Sequence, residues 1–82
     1  MSDPLPQYLD LRAGDSPVLP LMVLQALARL DPGQCLEVWL SSPRWFRDLP
    51  VILRRGGHRC LDCHQAPDGY RLLLAPARRP TA

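Results

Sequence analysis

The feature that most constrains this chain is where its hydrophobic period changes. Along 82 residues the apolar positions switch repeatedly between a spacing of two and a spacing of three to four, and the switches fall on prolines and glycines. QYLDLR alternates, with Leu9 and Leu11 on one face and Tyr8, Asp10 and Arg12 on the other, as a half-buried strand requires. From Leu19 to Leu30, the residues Leu21, Leu24, Leu27, Ala28 and Leu30 recur at helical intervals and predict one buried stripe, which Asp31-Pro32-Gly33 ends. CLEVWLS alternates again, with Leu36, Val38 and Leu40 inward and Cys35, Glu37 and Trp39 outward. SSPRWFRDLPVILRRGG opens with serine and proline at cap and first-turn positions and closes on Gly56-Gly57; Pro50 should bend or interrupt this second helix. HRCLDCHQ reads as a third strand, Ala66-Pro67-Asp68-Gly69 as a hairpin turn, and YRLLLA as a fourth strand.

The order is βαβαββ, which predicts an α/β fold: a two-layer sandwich, with two helices on one face of a four-stranded mixed sheet and the other face open. Residues 1–82 make one domain with its core over 8–75, and the polar end 76–82 is expected to be flexible.

Nearly half the residues are apolar, so the chain can bury a core. The formal charge of +2 is too small to argue for nucleic acid as a partner. The arginines do cluster, with Arg44, Arg47, Arg54, Arg55 and Arg59 in one stretch and Arg78 and Arg79 near the end. A solvated face accounts for such a cluster; read functionally, Arg44 and Arg47 together with Trp39 are the candidate partner surface. MSDPLPQY has no basic start followed by an apolar run, and no segment approaches the ~20 apolar residues of a membrane span, so a cytoplasmic protein without direct membrane contact is expected. Three cysteines then read as reduced thiols.

Two places could carry chemistry. HRCLDCH contains a Cys-x-x-Cys flanked by histidines, which invites a metal reading. On a regular strand, however, residues three apart face opposite ways, so Cys60 and Cys63 should stand about 10 Å apart with Cys63 in the core. Strand parity instead aligns His58, Cys60, Asp62 and His64 on the open face. With Asp62 in the same row, His58, Cys60 and His64 are the metal candidates, but solvent-facing polar residues on an open sheet account for such a row and no metal is expected; Cys60 is the candidate exposed thiol, near Tyr8, Cys35, Trp39 and Leu73 on that face.

The second place is the start of the first helix, DSPVLPLM, where Ser16 and Pro17 fit an N-cap and first helical residue while Pro20 does not fit the helix they would begin. A turn over 16–19 with the helix starting later is the other way to house both prolines. DLRAGDSP here, DPG after the helix, RDLP in the second helix and Gly57-His58 behind it together resemble the TusA/SirA family of small sulfur-carrier proteins. That family shows DLRGLRCP, PGE and RDIP followed by Gly-His at corresponding places, and the resemblance runs from Leu9 to Leu74.

Aligned without gaps, Ser16 falls on the family's cysteine and Pro17 on the proline after it, while Leu19 takes the second proline's place and Pro20 follows. The resemblance implies the fold above, a role in sulfur relay, no cofactor, and a protein partner such as a cysteine desulfurase, a rhodanese or a sulfur acceptor. It also implies that no catalytic residue is present. A serine hydroxyl stays protonated and forms no stable persulfide, and Asp15 would disfavour an anion beside it. The expectation is a chain degenerate at the persulfide position that acts as an accessory or binding module. A metal-binding protein or a regulatory interaction domain are the alternatives.

Overall fold

Each period switch in the sequence becomes a change of element. In a computed structural model, which describes residues 6–14 and 16–77, the elements are β1 (Gln7–Leu11), α1 (Leu19–Ala28), β2 (Leu36–Leu40), α2 (Pro43–Arg55), β3 (Arg59–Ala66) and β4 (Gly69–Ala75). The sheet order is β1-β2-β4-β3. β1 and β2 run parallel, joined by the α1 crossover, while β4 pairs antiparallel with both β2 and β3. The βαβαββ order and mixed four-stranded sheet agree with the sequence reading. Among the described residues no helix is long and apolar enough to cross a membrane.

The core lies between the sheet and the two helices. Leu36, Val38 and Leu40 of β2 and Leu72 and Leu74 of β4 face Leu19, Val23 and Leu27 of α1 and Trp45, Leu49 and Leu53 of α2, all buried. Phe46 stacks on Tyr70 with ring centroids 4.6 Å apart, closing one end.

The helix α1 differs from the expectation in part: Leu27 is buried and Leu24 and Leu30 pack against the core as expected, but the face is rotated toward Leu19 and Val23. Its buried stripe is Leu19, Val23 and Leu27, whereas Leu21 is 54 % exposed and Ala28 is exposed. Every residue from Val18 to Leu24 is apolar, so the sequence offers no polar side to fix the rotation. A single ridge with a spacing of four settles it by packing on the sheet. The turn after α1 is as expected: Gln34 N–H donates to the Asp31 carbonyl (3.0 Å), with Pro32 second and Gly33 at φ 85° third.

The helix α2 begins on Ser42, whose Oγ accepts the Trp45 N–H at 3.3 Å, and runs through Pro50 without a break. It ends in a Schellman closure. Gly57, at φ 86°, donates to the Arg54 carbonyl (2.9 Å) and His58 N–H to the Leu53 carbonyl (3.0 Å). His58 Nδ1 then accepts the Ala77 N–H at 2.9 Å, so the chain beyond β4 is tied down at least that far. Residues 78–82, which include Arg78 and Arg79, lie outside the described residues.

Candidate functional site

At the start of α1 the two prolines find separate places. Ser16 to Leu19 form a turn: the Leu19 N–H donates to the Ser16 carbonyl at 3.1 Å, with Pro17 in the second position, where its fixed φ suits the turn. The Ser16 Oγ accepts the Val18 N–H at 3.2 Å. The helix starts only at Leu19, with Val18 as a cap residue that offers no side-chain bond, and its first bond runs from Met22 N–H to the Val18 carbonyl (3.1 Å). Pro20 is thus the second helical residue, where an N–H has no helical acceptor to lose.

The reading of Ser16 as the N-cap is therefore corrected to a turn residue two positions upstream of the cap, and the turn over 16–19 is the arrangement found. The electrostatic consequence is direct. A helix start favours an anion through its free N–H groups. Here the Leu19 N–H is tied to the Ser16 carbonyl and Pro20 has none, so the bond the side chain at position 16 receives is the one from the Val18 N–H. Asp15, whose charge entered the sequence argument, lies outside the described residues. Around this start Val18, Leu21 and Met22 are 53 %, 54 % and 39 % exposed. Sequence reasoning missed this apolar rim; the unbroken apolar run from Val18 to Leu24 was its signal.

The second candidate place is β3, and its parity is not that of a regular strand. Cys60 pairs with Leu74, Asp62 with Leu73 and Cys63 with Leu72, so Leu61 is an extra residue, a β-bulge. Residues opposite one another in an antiparallel pair share a face. Cys60 and Cys63 therefore both stand on the helix side, with Leu74 and Leu72, while Asp62 and His64 stand on the open side opposite Leu73 and Arg71. This corrects two expectations: Cys60 is not on the open face with His64, and Cys63 is not a core residue. Both thiols are exposed because β3 is the border strand.

The Cys60 Sγ lies 3.5 Å from the Asp62 carbonyl oxygen. Partial burial, then the nearby Cys63, push its thiol above the ordinary value. Cys60 also lines a shallow cavity of about 280 Å³ with Pro50 and Arg54 of α2, His58, Arg59 and Leu61.

The open sheet face is polar and knit by ions. The Arg12 side chain bonds the Asp10 carboxylate at 2.7 and 2.9 Å and Asp68 at 3.0 Å, and lies over the Trp39 ring. Those bonds, from side chain and then backbone of Arg12, bring the Asp10 carboxyl down to about 2. Trp39 Nε1 donates to Glu37 (3.0 Å), and Arg71 bridges Glu37 (3.3 Å) and Asp62 (3.1 Å). Arg44 and Arg47 sit at the start of α2, on the helix layer, and both reach Asp48, at 3.9 and 3.1 Å. Trp39 is thus on the opposite side of the sheet from Arg44 and Arg47. The metal candidates are likewise separated: His58 is bound to Ala77, Cys60 faces the helix side and His64 the open side. Among the described residues no three His, Cys, Asp or Glu side chains converge as a metal site would need.

The family model described as "Sulfurtransferase TusA" matches residues 7–75. A Thermotoga maritima protein described as a candidate sulfur carrier is 32 % identical over 67 residues, covering 80 % of this chain and 85 % of its own.

Proposed function

Because this chain belongs to the TusA sulfurtransferase family, we propose that it serves sulfur relay as a docking or accessory member, with no sulfur carried at Ser16. The observation that supports this reading is a serine at a helix entrance poor in donors: the Leu19 N–H is spent on the Ser16 carbonyl, Pro20 has none to give, and the side chain at position 16 receives the Val18 N–H. A serine there cannot take the sulfane sulfur, since its hydroxyl stays protonated and oxygen forms no stable persulfide. What the start of α1 does present is the exposed apolar rim of Val18, Leu21 and Met22, a surface suited to a protein partner. The partner is a protein of the same relay, such as a cysteine desulfurase, a rhodanese or a sulfur acceptor, met in the cytoplasm.

The test is binding of the intact chain to a purified cysteine desulfurase, by calorimetry. Leu21→Glu should weaken binding by about tenfold or more, the equivalent of ~1.4 kcal/mol, and Ser16→Ala should leave it unchanged. Loss of binding with Ser16→Ala alone would overturn the docking reading.

A further inference from the structure

We propose that Cys60 and Cys63 form a dithiol pair that takes up sulfane sulfur and releases it as hydrosulfide, with Cys60 as the acceptor and Cys63 as the resolving thiol. The inference rests on the sulfur-relay reading and adds to it the residues that handle sulfur.

The bulge at Leu61 is the first support. It brings two cysteines three apart in sequence onto one face of the border strand, opposite Leu74 and Leu72. Neighbours of this kind are about 7 Å apart between Cα atoms, close to the upper end of the disulfide range. The Cys60 sulfur lies 3.5 Å from the carbonyl oxygen of Asp62, the residue just before Cys63. Both thiols are exposed on a strand with one unpaired border, so a donor can reach them and the strand can adjust. The surroundings of Cys60 are the second support. Arg54 of α2 lines its cavity and forms no ion pair with a described residue. A guanidinium on the helix side of the sheet suits an anionic persulfide there. The raised thiol reduces the thiolate fraction at neutral pH, while each thiolate formed is the stronger nucleophile.

The steps balance without an outside oxidant. A donor persulfide, R–S–SH, is attacked at its outer sulfur by the Cys60 thiolate. The S–S bond of the donor breaks, one forms on Cys60, and R–S⁻ leaves with the electron pair. Cys63, as thiolate, then attacks the Cys60 Sγ: a Cys60–Cys63 disulfide forms and the outer sulfur leaves as hydrosulfide. The sulfane sulfur is reduced and the two thiols are oxidised.

The experiment uses the full chain and glutathione persulfide under anaerobic conditions, read by intact mass, peptide mapping and released sulfide. Cys63→Ser should hold one added sulfur atom on Cys60. The unaltered chain should instead release sulfide and lose two hydrogens as the disulfide forms, and Cys35→Ser should behave like it. Cys60→Ser should neither hold sulfur nor release sulfide. Sulfur found on Cys35 or Cys63, or sulfide release by Cys60→Ser equal to that of the unaltered chain, would overturn the proposal. Because the donor is a small molecule, such a failure can occur with desulfurase binding intact, and loss of desulfurase binding leaves this chemistry to be judged on its own readout.

Discussion

The guanidinium carbon of Arg12 lies 4.9 Å from the centroid of the Trp39 ring while the same side chain holds both oxygens of Asp10. One residue just past β1 thereby covers the aromatic ring of β2 and fixes the charge of its neighbour on the open face.

A pH dependence follows from that clamp. Asp10 titrates at about 2 in the fold, against an ordinary value of 3.8, because Arg12 bonds its ionised form. A depressed carboxyl contributes stability that is present above the unfolded value and is lost as pH falls from about 4 towards 2. A carboxyl titration followed by NMR should give a midpoint for Asp10 near 2, and Arg12→Met should move it back to the ordinary range. An Asp10 midpoint unaffected by Arg12→Met would show that the ion pair does not form in solution.

Ser16→Ala removes one hydrogen bond at a partly exposed turn, not a helix cap, so the loss should be at most about 1 kcal/mol in denaturant unfolding. Ser16→Cys should give a thiol that alkylates at neutral pH at most a few times faster than an unstructured cysteine, since Leu19 N–H is spent on the Ser16 carbonyl and Pro20 has none, which leaves the Val18 N–H as the donor facing the sulfur. Rapid alkylation would mean that the start of α1 still favours an anion.

Cys63→Ser should change stability by no more than about 0.5 kcal/mol, because the bulge places that residue at the exposed border. In native alkylation both Cys60 and Cys63 should react before Cys35, which is half-buried.

Leu49, fully buried at the centre of α2, should cost about 2–5 kcal/mol when truncated to alanine. The comparison is Val51 on the same helix, 54 % exposed, whose truncation should be close to neutral.

Gly69→Ala tests the junction of β4 with β2. Gly69 sits at φ 152°, and an added Cβ would come within 2.8 Å of the Leu40 carbonyl oxygen. Backbone on one side and an unfavourable dihedral on the other should make this change cost roughly 1–3 kcal/mol in thermal or denaturant unfolding.

How much of this was legible differs from element to element. The strands β1, β2 and β4 and the cap and stop of α2 follow from local rules, since Leu36, Val38 and Leu40 alternate strictly and Ser42 and Gly57 each satisfy a helix end. The helix α1 was legible in extent but not in rotation, because a run apolar on all sides leaves the choice of buried face to tertiary packing. The cap was misplaced at Ser16 because Pro20 forbids a helix that begins there, a conflict visible in the sequence but resolved only by the turn. The sides of Asp62, Cys63 and His64 were legible, but that of Cys60 was not. A bulge at a leucine, with no glycine to mark it, puts Cys60 on the same side as Cys63, where an unbroken alternation would set them on opposite sides. The ion network of the open face depends on register across strands, which placed Arg71 between Glu37 and Asp62 and no local pattern could announce.

The bulge at Leu61 also bears on solubility. A border strand of eight residues with an uninterrupted row of backbone donors and acceptors is a template onto which another chain can add, the first step toward fibrous aggregates. Two residues opposing one, in the first half of β3, break that row and increase the local twist. A variant lacking Leu61 that still folded would offer an unbroken template, and the protein would exchange an ordered border for a sticky one.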